Sequence, residues 1–228
     1  MRARILQALG IALVIAPVVG IAQQKPTAAT YITDEDVKKV NSLPGVDRMI
    51  RVVDVGPENF AVGVVHRGAT GAARGAGAAA GARAGGAAAG AGRAAGAGRG
   101  AAQMGEPCGD QSGEAPAPGT PGGIAHDQQT EGYLIISGAG TMITGGHISH
   151  GRKSGPESEV TKVLNGPSCS GAIVGADVVR RDVKVGDIVI IPAGVPHGWA
   201  NIPDHVDYLS FRPSARVLEA GYVNPALK

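Results

Sequence analysis

The chain has 228 residues, a formal net charge of +2 and two cysteines. Six of its arginines lie in residues 1–22 and 69–103, which hold no Asp or Glu; without those segments the charge falls from +2 to −4, so the folded part is mildly acidic and nucleic acid is not an implied partner. The length suffices for one barrel of about 100–150 residues and leaves too little folded sequence for two.

Met1-Arg2-Ala-Arg4 is a positive start, followed by an apolar stretch from Ile5 to Val19 that Gln7, Gly10 and Pro17 interrupt. Small residues at Gly20 and Ala22 complete a secretory signal over residues 1–22, with cleavage expected after Ala22. The stretch is short for a membrane span, and no later segment is apolar enough to cross a bilayer. The expected destination is periplasmic or extracellular. Residues 23–66 should hold a short helix and the first strands. Thr33 offers an N-cap to an acidic first turn at Asp34-Glu35-Asp36, and Lys38 and Lys39 close the helix. Met49 to Val55 and Phe60 to His66 read as strands, with Phe60, Val62, Val64 and His66 on one face.

Residues 67–122 form an insert and linker. From residue 69 to 103 the chain is almost wholly Ala and Gly, punctuated by Arg74, Arg83, Arg93 and Arg99. Each interleaved Gly costs a helix about 1 kcal/mol, and no larger apolar side chain is present to build a core. The segment is therefore expected to be disordered, either as a simple-sequence expansion or as a basic tether for anionic surfaces. Residues 104–123 continue as a Pro/Gly-rich linker carrying Cys108.

Residues 123–214 hold the barrel core, and residues 215–228 a tail. His126-Asp-Gln-Gln-Thr-Glu131-Gly-Tyr133-Leu-Ile-Ile-Ser-Gly138 leads into Gly140-Thr-Met-Ile-Thr-Gly145-Gly146, which reads as the next strand and turn. Glu159–Leu164, Ala172–Val174 and Val178–Val183 supply further strands between Gly and Pro breakers. Gly186-Asp-Ile-Val-Ile-Ile-Pro192-Ala-Gly194-Val-Pro-His197-Gly-Trp199-Ala-Asn201 reads as a strand at Ile188–Ile191 buried on both faces, a turn forced by Pro192 and Gly194, and a second strand. His197, Trp199 and Asn201 fall at period two on that strand and should share a face. His205–Phe211 is a last strand, and Ser214–Ala220 a closing helical turn.

The pattern Gly-x5-Pro-x-Gly-x2-His-x3-Asn over 186–201 resembles the second motif of the cupin superfamily, with every fixed position filled. The first cupin motif, His-x-His-x3-4-Glu-x6-Gly, is matched from His126 onward, with Ile124 where the family has its first His. The resemblance implies an all-β fold: a single cupin jelly-roll β-barrel with a short N-terminal helix. It also implies metal ligands at His126, Glu131 and His197. Two imidazoles and a carboxylate suit one divalent metal ion, Fe, Mn, Zn, Cu or Ni, with positions left for water, O2 or substrate. With Ile124 in place of a ligand, the same set also fits a site that has lost its metal.

His66 is a candidate extra ligand if its strand face lines the barrel. His147, His150 and His205 sit near turns and read as solvated. Tyr133 and Trp199 fall on the inward parity of Glu131 and His197, where, with Ile124, they either shape a substrate pocket or fill the core. Glu131 is a candidate general base if it is not metal-bound. Cys108 and Cys169 lack Cys-x-x-Cys spacing and, in an oxidising compartment, are expected to bond to each other. The expected function is an exported, metal-dependent barrel acting on a small organic molecule with oxygenase-like chemistry. The alternatives are a non-catalytic small-ligand binder and a surface-associated structural protein. Short edges in such barrels make a homodimer a further expectation.

Overall fold

The computed structural model describes residues 26–70 and 104–228. The expected signal at 1–22 and the Ala/Gly/Arg run at 71–103 lie outside the described residues. Helix α1 spans Asp34–Asn41, and its start is the expected one: Thr33 accepts from the Asp36 backbone while the Asp36 side chain accepts from Thr33.

Eleven strands follow: β1 Asp47–Asp54, β2 Asn59–Gly68, β3 Met104–Cys108, β4 Gly122–His126, β5 Glu131–Thr144, β6 His147–Ser154, β7 Ser168–Val174, β8 Val179–Lys184, β9 Ile188–Ile191, β10 His197–Asn201 and β11 His205–Ser214. All named strand pairings are antiparallel. They form two sheets, β1-β2-β11-β5-β9 and β8-β5-β10-β4-β7-β6-β3, joined through β5. This is a double-stranded β-helix, the jelly-roll architecture implied by the two motifs.

One strand serves both sheets because β5 turns at Gly138. Residues 131–138 pair with β11 and β9, and residues 139–144 pair with β8 and β10. Gly138 has φ +68°, and a Cβ there would meet the His205 carbonyl oxygen at 1.9 Å, so no other residue fits. The main interior cluster, which includes Val65, Tyr133, Ile135, Met142, Ile191, Val206 and Tyr208, lies between the sheets. A second cluster lies outside: Val62 and Val64 of β2 pack with Ile50 and Val40 beneath α1.

Several local expectations change. Val160–Leu164 is a π-helical turn, not a strand: Val160, Val163 and Leu164 follow helical spacing and pack with Met49 and Leu218. Residues 215–220 form no helix, since Arg216 takes φ +57° and pairs with Asp54 at 3.1 Å. The linker contains a strand, as β3 pairs with β6. Strand β9 is not buried on both faces. It is an edge strand of its sheet, and Ile188 and Ile190 are 70% and 73% exposed, while Ile191 faces the interior. Among the described residues no helix is long and apolar enough to cross a membrane.

Cys108 and Cys169 form the expected disulfide, with Cα atoms 6.0 Å apart and a sequence separation of 61. It ties β3 to β7 across β6, next to Ile148 and Ile173. In the chain-entropy model a loop of that size is worth about 4 kcal/mol. The Cys108→Ser/Cys169→Ser protein should therefore unfold at clearly lower denaturant with an unchanged β spectrum. An unaltered midpoint would mean that β3 is held by its strand pairing alone.

Candidate metal centre

His126 ends β4, Glu131 begins β5 and His197 begins β10. Their proximity follows from strand pairing. Within the β4–β10 ladder His197 stands opposite Ile124, two residues before His126 on the same face. The Pro192–Pro196 turn is fastened to the same place: Gly194, at φ +81°, donates to the His126 carbonyl at 2.7 Å. Gly123 and Gly198 let the two strands approach, because a Cβ on Gly123 would meet the His197 carbonyl oxygen at 2.4 Å. Sequence spacing thus places two histidines on separate strands, and glycines bring those strands together.

The three side chains are buried, with 2%, 1% and 4% exposure for His126, Glu131 and His197. The Nε2 atoms of His126 and His197 lie 3.3 Å and 3.1 Å from Glu131 Oε2. One candidate ligand atom from each residue lies within 4.8 Å of the others.

The hydrogen bonds behind the rings decide what those atoms are. Ser168 Oγ donates its one proton to the Gly166 carbonyl, so it can only accept from His126 Nδ1, 2.8 Å away. His197 Nδ1 faces the Val195 carbonyl at 3.0 Å, again a pure acceptor. Each ring therefore donates from Nδ1, and the neutral His126 ring keeps a bare lone pair on Nε2. Burial lowers the His126 pKa below 6.5, more than the opposing pull of Glu131, so that ring is neutral at pH 7. His126 Nε2 is buried and makes no hydrogen bond.

Two imidazole nitrogens and a carboxylate oxygen converging at this distance are a set that a cation would draw together. The spacing agrees. Two ligand atoms about 2.1 Å from a shared cation, at angles between octahedral and tetrahedral, lie about 3.0–3.4 Å apart. The residues present fit a divalent ion. The histidines are also oriented through Nδ1, as metal-bound imidazoles usually are.

Glu131 is held at both oxygens by other side chains, two of them outside the motifs. Ser210 and Arg212 Nε donate to Oε1 at 3.0 Å and 2.8 Å, and the Tyr133 hydroxyl donates to Oε2 at 2.6 Å. Burial alone would raise the Glu131 pKa, but the Arg212 guanidinium holds it well below 4.5. Glu131 is thus held as a carboxylate. Burial, reinforced by the Glu131 charge, pushes Tyr133 well above 10, so it remains a phenol that donates. Ser210 and Arg212 were readable in one respect: Val206, Tyr208, Ser210, Arg212 and Ser214 occupy the buried parity of β11. Polar residues on a buried parity signal an interior network.

The remaining candidates fall differently. His66 does share a face with Phe60, Val62 and Val64, but that face is the one covered by α1. Its Nδ1 meets Asp207 at 2.5 Å, its side chain is 46% exposed, and it does not join the triad. Tyr133 and Trp199 do not enclose an open slot. Tyr208 stands between them, with ring centroids 4.3 Å from Tyr133 and 5.7 Å from Trp199. Asn201 leaves the His197–Trp199 parity because the β10–β5 register shifts between Trp199 and Asn201. Two surface clefts, one beside Arg51 and Tyr222 and one beside Pro121 and Val178, contain no triad residue.

Removing Arg212 should be severe. Arg212→Met leaves buried Glu131 and half-buried Asp47 without their cation, an expected loss of about 3–5 kcal/mol in a denaturant titration. The pH dependence has a definite sign. The folded protein depresses both His126 and Glu131, so the unfolded chain binds more protons below the ordinary values of 6.5 and 4.5. Stability should be fully present above about pH 6.5 and fall progressively as pH drops through the acid range. A metal-free melting temperature that rose between pH 6.5 and pH 4 would contradict this assignment.

No family model and no curated protein matches this chain. Solved structures similar to it include an uncharacterized conserved protein with a double-stranded β-helix domain from Klebsiella pneumoniae, at 16% identity over 83% of this chain and 93% of that one, TM-score 0.33. Another is a Bacillus halodurans protein, at 9% identity over 88% of this chain and 89% of that one, TM-score 0.35. A third is a CENP-C domain from Drosophila melanogaster, at 8% identity over 72% of each chain, TM-score 0.27. The chain's own strand pairing gives it a cupin-like, double-stranded β-helix fold around a buried His126–Glu131–His197 cluster.

Proposed function

We propose that this barrel binds one divalent metal ion through His126, Glu131 and His197 and acts on a small organic molecule, with oxygenase-like chemistry. The observation that carries the metal half is the convergence of the His126 and His197 Nε2 atoms, in rings held through Nδ1, on one carboxylate oxygen. A bound iron, manganese, copper, nickel or zinc ion would supply Lewis acidity, and the redox-active ones O2 chemistry. The chain's own residues do the rest. Ser168 and the Val195 carbonyl orient the imidazoles, while Arg212 and Ser210 occupy Oε1 and leave Oε2 for the ion. The Tyr133 phenol stands ready to share a proton at that same oxygen. The buried setting excludes water, as a reactive centre requires. Export through the residue 1–22 signal is part of the proposal, supported by the Cys108–Cys169 bridge, which belongs to an oxidising compartment.

A non-catalytic small-ligand barrel is the second reading. Elemental analysis of the mature protein separates the cases at the first step. Near one equivalent of metal is expected, lost in His126→Ala/His197→Ala. Oxygen uptake with phenolic, keto-acid or sugar-like compounds should then appear only in the loaded protein. Protein that takes up no metal even on reconstitution would end the metal reading, and metal without turnover would favour the binder.

A further inference from the structure

Arg67 differs from the other arginines packed into the barrel. Arg212 spends its guanidinium on Glu131, Ser210, the Leu164 carbonyl and Asp47. Arg48 uses both terminal nitrogens, on the Leu43 and Gly45 carbonyls and on Asn41. Arg67 lies two residues beyond Val65 on β2, on the side that faces the interior cluster. It is half-buried, and among the described residues its guanidinium makes one hydrogen bond, from Nε to the Tyr208 hydroxyl at 3.1 Å. Asp47 and Glu131 both pair with Arg212, at 2.7 Å and 2.8 Å, and Asp47 acts on Arg67 through its charge alone. A planar fork with its outer edge free, set against aromatic rings, is built to take a carboxylate in bidentate fashion.

The partner of Arg67 also points toward the triad. The Tyr208 ring lies 4.3 Å from Tyr133, and Tyr133 donates to Glu131 at 2.6 Å. We propose that Arg67 anchors an anionic subsite, gripping the carboxylate of a small organic acid with the free edge of its guanidinium. The assignment of that acid as the substrate rests on the metal reading. A divalent ion would add two positive charges to an interior where Arg67 and Arg212 match Asp47 and Glu131, and an organic anion offsets them. The grip of Arg67 on a carboxylate does not depend on that step.

The chain's single tryptophan, Trp199, lies 5.7 Å from Tyr208 and reports on the site. Acetate, malonate and benzoate, each beside its neutral amide, are titrated into the protein as purified, following Trp199 fluorescence and heat. Carboxylates should bind and amides should not. Arg67→Gln should weaken carboxylate binding at least about tenfold, the worth of a charge-assisted hydrogen-bond pair, with Arg67→Lys intermediate because it keeps charge without the fork. Melting curves and metal content of both variants must match the parent. A variant that melts early is replaced by Tyr208→Phe, which keeps the Arg67 charge and should retain the preference for carboxylate over amide. Equal binding of acids and amides, or Arg67→Gln binding as the parent does, overturns the proposal. The His126→Ala/His197→Ala protein keeps the two readings apart. If the triad holds no metal, Arg67-dependent carboxylate binding is still expected; if metal binds and Arg67 makes no difference, only the anionic subsite falls.

Discussion

A carboxylate with 1% exposure survives in this barrel because Arg212 lies 2.8 Å from it and is equally buried. Neither charge would be tolerated alone. Arg212 in turn draws in Asp47 from β1 and the Leu164 carbonyl at the end of the π-helical turn. One guanidinium therefore joins β1, β5 and β11 to the connection after β6, and it is the reason Glu131 stays a carboxylate in the interior. A buried ion pair is a poor source of net stability. Its consequence here is geometric: Oε1 is occupied, and Oε2 is left as the single oxygen directed at His126 and His197.

The bent strand β5 delivers that carboxylate. Its first half carries Glu131 and Tyr133 into one sheet, and its second half pairs with β10, which carries His197. The Gly138 turn between the halves and the Gly123–Gly198 approach between β4 and β10 are places where any side chain would collide with a carbonyl. Such contacts leave little freedom for the distance between the imidazoles, whose ring centroids are 5.0 Å apart. Rigid backbone beneath such a cluster is the physical form of preorganisation: the fold holds two imidazole nitrogens and a carboxylate oxygen as a set that a cation would draw together.

The aromatic stack sets the character of the space around the cluster. Tyr133, Tyr208 and Trp199 run outward from His197 in one series of ring contacts. Arg67 closes on Tyr208 from β2. The interior thus passes from a deeply buried cluster to an arginine with hydrogen-bonding capacity in hand. Opposite charges placed along one aromatic wall give a ligand a preferred direction, which apolar walls alone do not.

The sequence by itself determined the parts governed by local rules. The Thr33 cap, the turn at Pro192 and Gly194, the period-two parity of Glu131, Tyr133 and Ile135, and the spacing of His126, Glu131 and His197 are all properties of a few neighbouring residues. The pairing of Cys108 with Cys169 was legible because only two cysteines exist. Tertiary structure decided the rest. Alternation groups Phe60, Val62, Val64 and His66 on one face, but only the packing of α1 makes that face the outer one. Apolar residues at Ile188 and Ile190 look buried in sequence, yet β9 falls at a sheet edge. Val160, Val163 and Leu164 suited a strand by composition and became a helical turn by packing on Met49 and Leu218. Above all, Arg212 is 81 residues from Glu131 along the chain. No local rule relates two residues so far apart; their charges meet because β11 pairs with β5, and that pairing fixed the chemistry of the site.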